Sequence, residues 1–130
     1  MPKKEIKTGF APRAIGPYSQ AVSCNGFVFL SGQIPLDPVS GEIVGITIEE
    51  QTGQVFKNIE GILIEAGLCL DHVVKTTVYL KDIADFSRMN VVYAGRFKPP
   101  YPSRATVEVS RLPKDVLIEV DVIAAEDVGR

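Results

Sequence analysis

The sequence contains no tryptophan, a single histidine (His72) and only two cysteines, Cys24 and Cys69. A tetrahedral zinc site needs several His, Cys or carboxylate ligands at short spacing, and that raw material is missing. The two cysteines show no CxxC spacing, which excludes a disulfide framework and predicts reduced thiols in a cytoplasmic, cytosol-like compartment. No apolar run approaches the ~20 residues needed to span a bilayer. The start, Met1-Pro2-Lys3-Lys4-Glu5, is not followed by the apolar stretch of a secretory signal, so no membrane partner is expected. Charge of one sign is also absent: Lys and Arg number 14 against 16 Asp and Glu. The cations are scattered, which argues against a nucleic-acid partner. The GxSxG, HExxH, P-loop and dinucleotide patterns are all missing. A Ser-His-Asp triad would have to recruit His72, and Asp71-His72 just before a strand reads more simply as a turn.

What is present is ordinary for a folded protein. A hydrophobic share of 45% and a charged share of 23% over 130 residues predict one globular domain spanning 1–130. Ile6 to Thr8 can begin a strand, followed by a loop through Pro12 and Pro17. Ser19 to Cys24 and Phe27 to Ser31 flank Asn25-Gly26, a pair that tolerates positive φ at both positions and so favours a tight hairpin. Residues 32–45 are rich in Pro, Gly and Asp and read as a loop, with a short ribbon near Glu42 to Val44. Thr47-Ile48-Glu49-Glu50 is a capping box. Behind it Val55, Ile59, Ile62, Leu63 and Ala66 share one helical face, and Gly67 suits the stop. Gly53 and Gly61 each weaken this helix by about 1 kcal/mol, for which close packing on a sheet is one reason and drift another. Val73 to Leu80 is a strand. Phe86, Met89, Tyr93 and Phe97 stripe a second helix that Pro99-Pro100 ends. Ala105 to Val109 and Val116 to Ala124 are the last strands, near enough in sequence to pair locally.

The order ββ(β)αβαββ predicts an α+β fold with two helices on one face of a mixed sheet. The other face would then carry Phe27, Phe29, Thr77 and Tyr79. An apolar face of that kind predicts a homo-oligomer.

Several polar positions interrupt these elements. Asn90 lies on the helical stripe with Phe86 and Tyr93, either as a structural amide or as a ligand contact. Arg104 opens a strand straight after Pro99-Pro100-Tyr101-Pro102, and its guanidinium can fork onto a carboxylate or phosphate or form a surface ion pair. Glu119 alternates with Ile118 and Val120, so it shares a face with Asp121. It points to solvent, or becomes an acid–base candidate if an oligomer buries that face. Ser31-Gly32 is either a strand exit or a place where a ligand approaches bare backbone.

Taken in order, these positions resemble the reactive-intermediate deaminase (RidA/YjgF) family. The resemblance is carried by Pro102-Ser103-Arg104-Ala105-Thr106-Val107-Glu108-Val109, Arg111-Leu112-Pro113-Lys114-Asp115 and Ile118-Glu119-Val120. It extends to Ile15-Gly16-Pro17-Tyr18-Ser19-Gln20-Ala21, Leu30-Ser31-Gly32-Gln33-Ile34-Pro35, Val74-Lys75-Thr76-Thr77-Val78-Tyr79-Leu80 and Met89-Asn90-Val91-Val92-Tyr93, nearly the whole chain. The resemblance implies a chorismate-mutase-like α+β fold assembled as a homotrimer with clefts between subunits. It further implies hydrolysis of 2-imino acids (2-iminobutanoate, 2-iminopropanoate) to 2-oxo acids and ammonia, without metal or organic cofactor. Arg104 would hold the substrate carboxylate and Glu119 would activate water. Tyr18, Ser31, Gly32, Asn90 and the backbone around Thr106 would line the cleft. Many family members have cysteine where this chain has Thr106, so thiol chemistry at that position is excluded here. Two other functions use the same residues: a non-catalytic protein that binds a 2-oxo acid, needing Arg104 but not Glu119, and an RNA-cleaving translation inhibitor.

Overall fold

The computed structural model describes residues 2–127. Six strands and two α-helices follow in the order β1 (Lys4–Ile6), β2 (Ala21–Cys24), β3 (Phe27–Gln33), α1 (Ile48–Glu65), β4 (Val73–Leu80), α2 (Phe86–Ala94), β5 (Ser103–Glu108) and β6 (Ile118–Ala125). One mixed sheet has the order β1-β2-β3-β6-β4-β5. The only parallel pair among the described residues is β4 with β5.

Local chemistry sets the element ends. Asn25 (φ 54°) and Gly26 (φ 82°) turn β2 into β3 with Cys24 opposite Phe27, as the positive-φ dipeptide predicts. Thr47 Oγ1 accepts from the Glu50 amide at 3.1 Å, and Glu50 Oε1 accepts from the Thr47 amide at 3.2 Å. The helix stops at Gly67 (φ 77°), where the Leu68 amide returns to the Leu63 carbonyl at 2.8 Å. The expected ribbon forms as a bridge between Leu36 and Ile43.

Both helices pack on one face of the sheet. Val55, Phe56, Ile59, Ile62 and Leu63 of α1 are fully buried in a core with Val28, Val78, Ile118 and Val120. Each such side chain contributes about 1.5–3 kcal/mol. From α2, Tyr93 sets its ring edge-on to Phe56 at 5.7 Å between centroids, and its buried hydroxyl meets Thr76 Oγ1 at 2.7 Å. The opposite face has no helix. There Phe27 and Phe29 remain 44% and 41% exposed.

Three expectations need correction. The last two strands do not pair with each other. The β4–α2–β5 crossover lays β5 parallel on the outer edge of β4, leaving only the inner edge, and β6 enters there between β3 and β4. The first strand ends at Ile6, because the Thr8 amide is taken by Gln20 Oε1 at 2.7 Å. Gly61 answers to a loop rather than to the sheet: a Cβ there would collide with the Phe10 carbonyl and stand 2.9 Å from its carbon. At Gly53 the nearest atom is Arg96 Nη2 at 3.7 Å, and nothing in the structure requires glycine.

Candidate functional site

Strand β3 does not end at Ser31-Gly32. Leu30 pairs with Val122 and Gln33 with Val120, so Ser31 and Gly32 together oppose the single residue Asp121. This is a β-bulge, a device that re-aims a strand locally. Its consequence is seen at Glu119, whose carboxyl lies over the bare Cα of Gly32. A Cβ on Gly32 would collide with Glu119 Oε2 and stand 2.8 Å from its Cδ. The bulge also fixes the neighbouring loop. Ser31 Oγ donates to the Ser19 carbonyl at 2.6 Å, and the Ser31 amide to the Gln20 carbonyl at 2.9 Å, which sets Tyr18 beside the bulge.

These residues line a cavity of about 1030 Å³ that includes Tyr18, Ser31, Gly32 and Glu119, with Arg13 and Lys114 on its walls. Another wall is the loop after β3. Asp37 Oδ1 accepts from the Val39 and Ser40 amides, each at 2.8 Å, and these bonds hold its carboxyl below the usual range. Asn58 of α1 reaches up to donate to the Ile34 and Leu36 carbonyls at 3.2 and 3.0 Å. Glu119 accepts no hydrogen bond among the described residues. Burial, and secondarily the nearby Asp121 carboxylate, push its carboxyl above the ordinary value.

The remaining expected site residues lie elsewhere. Arg104 pairs in register with Thr76, and Thr106 with Val78, both on the helix-covered face. The Arg104 guanidinium stacks 4.6 Å from the Tyr93 ring centroid and 5.4 Å from that of Phe86. Its Nη1 donates to Asn90 Oδ1 at 2.7 Å. Asn90 therefore ties α2 to β5 through Arg104. Glu119, alternating with the buried Ile118 and Val120, faces the other way. One chain thus brings together Tyr18, Ser31, Gly32 and Glu119, and separately Asn90 and Arg104, with Thr106 on the same strand as the latter. It does not bring the two groups together.

Other contributors are not visible as motifs. Gln20 is buried and spans the loop, with Nε2 donating to the carbonyls of Thr8, Ala11 and Pro12 at 3.1, 3.2 and 2.8 Å. A glutamine next to a strand start carries no signal of that. His72 stands apart from the cavity: its Nδ1 accepts from the Cys69 amide at 3.1 Å and its Nε2 meets Asp127 Oδ2 at 3.1 Å. Among the described residues no group of three or more His, Cys, Asp or Glu could hold a metal ion, and no helix is long and apolar enough to cross a membrane.

A mixed sheet with two helices on one face and a carboxylate-floored cavity beside a bulge defines the class. The Endoribonuclease L-PSP family model matches residues 8–126. A RutC family protein of Pyrococcus abyssi is 56% identical over 127 residues, covering 98% of this chain and 100% of that protein. Among solved structures, YyfA of Yersinia pestis, a protein of the Rid family, superposes with a TM-score of 0.93 at 50% identity over 95% of this chain and 99% of that one. E. coli TdcF, crystallised with bound serine, has a TM-score of 0.90 at 42% identity over 95% and 99%. The chain belongs to the RidA/YjgF family.

Proposed function

We propose that the protein hydrolyses 2-imino acids to 2-oxo acids and ammonia, in clefts that a second copy completes within a homotrimer. The observation that carries this is Glu119, a half-buried carboxyl with no donor among the described residues, laid over Gly32 on a cavity floor. A carboxyl so placed suits proton transfer better than structural pairing. The number three comes from the family resemblance. The need for a second copy follows from the opposite faces of Glu119 and Arg104.

In this scheme the substrate carboxylate takes the Arg104 edge that Asn90 leaves free. Glu119 accepts a proton as water oxygen bonds to the imine carbon, and hands that proton to the imine nitrogen to give the carbinolamine. The carbinolamine then collapses: its hydroxyl proton passes through Glu119 to the amino nitrogen, the C–N bond breaks, C=O forms, and ammonia departs. One water is consumed and no redox change occurs. Imines already hydrolyse in water, so orientation and modest acid–base help suffice. The serine held by E. coli TdcF, an amino acid of similar size and carrying a carboxylate, supports this substrate class. RNA cleavage, the activity in the name of the family model, would need cations to hold the phosphate backbone, and the 14 Lys and Arg are scattered along the chain against 16 Asp and Glu.

The test is an assay in which an amino-acid dehydratase or oxidase supplies the imine. Glu119→Gln and Arg104→Ala are each expected to lose most turnover. Unfolded and reassembled together in equal amounts, they should regain about a quarter of wild-type activity, since one cleft in four receives both native residues. An inactive mixture overturns the shared cleft. Wild-type turnover by Glu119→Gln would overturn Glu119 as the acid–base group, whereas a wild type that binds 2-oxo acid but hydrolyses no faster than the uncatalysed reaction would make this a binding protein.

A further inference from the structure

Glu119 and Asp121 lie two residues apart on the helix-free face of β6, yet among the described residues only Asp121 has a hydrogen-bond donor. In the β4–β6 ladder Tyr79 stands directly opposite Glu119, and Thr77 opposite Asp121. The Tyr79 hydroxyl passes over its own cross-strand partner and donates to Asp121 Oδ2 at 2.9 Å. The bond to Asp121, followed by burial, pushes the Tyr79 phenol above its ordinary value, so it stays a donor. From β3 the bulge brings Ser31 and Gly32 against this pair with no charge of their own, and Ser31 spends its hydroxyl proton on Ser19. Lys75 lies further along β4, opposite Ile123. On the cavity walls the titratable groups are Arg13, Tyr18, Asp37, Glu42 and Lys114, of which Asp37 is committed to its own loop.

We propose that Asp121, held by the Tyr79 hydroxyl, is a positioning residue for Glu119: the pair commits the hydroxyl of the cross-strand partner of Glu119 elsewhere and sets a negative charge alongside, making Glu119 the carboxyl that carries the mobile proton. Two neighbouring carboxyls given unlike environments divide into a fixed anion and a proton carrier. Asp121 touches no substrate in this scheme. The assignment rests on Glu119 being the acid–base group of the proposed imine hydrolysis.

The sign follows from the charge. With Asp121 ionised, losing the Glu119 proton places two negative charges side by side; removing the Asp121 charge makes that loss easier. The pH limb of kcat/KM that reports Glu119 should therefore move to lower pH, whether Glu119 acts first as base or as acid. The experiment uses the full-length native assembly carrying Asp121→Asn, whose side-chain oxygen can still accept from Tyr79. Two readouts are taken: the pH profile in the coupled assay, and a carbon-13 NMR titration of the glutamate carboxyls, with Glu119 assigned through Glu119→Gln. Both midpoints should fall by roughly half a unit to one unit. Tyr79→Phe, which leaves the charge in place, should move them less. If Asp121→Asn does not assemble, Asp121→Ser is measured in its place with the same expectation. Unmoved midpoints in the assembled variant overturn the inference while leaving imine hydrolysis intact. Undiminished turnover by Glu119→Gln overturns the acid–base role of Glu119 and the inference with it, and a wild type no faster than the uncatalysed reaction overturns imine hydrolysis itself.

Discussion

Arg104 and Glu119 belong to one sheet, two strands apart, and are held by opposite means. Arg104 is fixed by what surrounds it: two aromatic rings beneath the guanidinium and an amide oxygen at its edge. Glu119 is placed by what is missing, a side chain on Gly32 and the Tyr79 proton, which goes to Asp121. An anchor benefits from restraint, because the cost of ordering a long side chain is met before the ligand arrives. A proton carrier is better served by weak solvation and few partners, since every hydrogen bond to its charged form would oppose reprotonation. The fold supplies restraint on the helix side and vacancy on the other.

The vacancy is where a small change should do most. In Gly32→Ala the new methyl occupies the space of the Glu119 carboxyl, and the bulge backbone has little room to yield. We expect kcat to fall roughly 100-fold, as misplacing a reacting group by about an ångström does. Thermal stability should change little, because the carboxyl can swing into the cavity. Wild-type kcat in the coupled assay would show that the position of Glu119 over Gly32 is immaterial.

The restrained side should respond differently. Asn90→Ala removes the oxygen that accepts from Arg104 Nη1 but leaves both aromatic rings. A hydrogen bond to a charged group is worth about 1.5–3 kcal/mol. Part of that should appear as a KM raised about tenfold, with kcat nearly unchanged. Steady-state kinetics decide. A fall in kcat at constant KM would mean that Asn90 acts on the chemistry rather than through the anchor.

The same contrast explains what the sequence discloses. The Thr47 box, the Asn25-Gly26 turn and the Phe86-Met89-Tyr93 stripe are local, decided within a few residues, and the structure keeps them. Arg104, Glu119 and Asn90 stand out as polar breaks in apolar patterns. Their separation onto two faces depends on where β6 enters the sheet, which no local pattern records. Strand-edge competition decided that, and it also removed the expected pairing of the last two strands. The bulge is a matter of register, so Ser31-Gly32 reads equally well as a strand exit until the partner strand is known. The tie between Tyr79 and Asp121 is hidden for the same reason: alternation places them on one face without saying which carboxylate the phenol will choose.

Thr106 should give the smallest response. It sits in register with Val78 on the helix-covered face of β5, away from the residues that line the Glu119 cavity. Substitution by cysteine changes the side-chain volume little and removes one hydroxyl that makes no hydrogen bond to another described residue. In the proposed scheme imine hydrolysis involves no change of oxidation state and water itself attacks the imine carbon, so a thiol there would have no step to perform. The strand backbone, which Thr106 shares with Arg104, is unchanged by the substitution. We therefore expect kcat/KM of Thr106→Cys within about threefold of wild type, a difference under 1 kcal/mol. The pH limb of Glu119 should stay where it is. A change of several orders of magnitude in the coupled assay would mean that the side chain at this position enters the reaction, and Glu119 could then no longer be its only acid–base group.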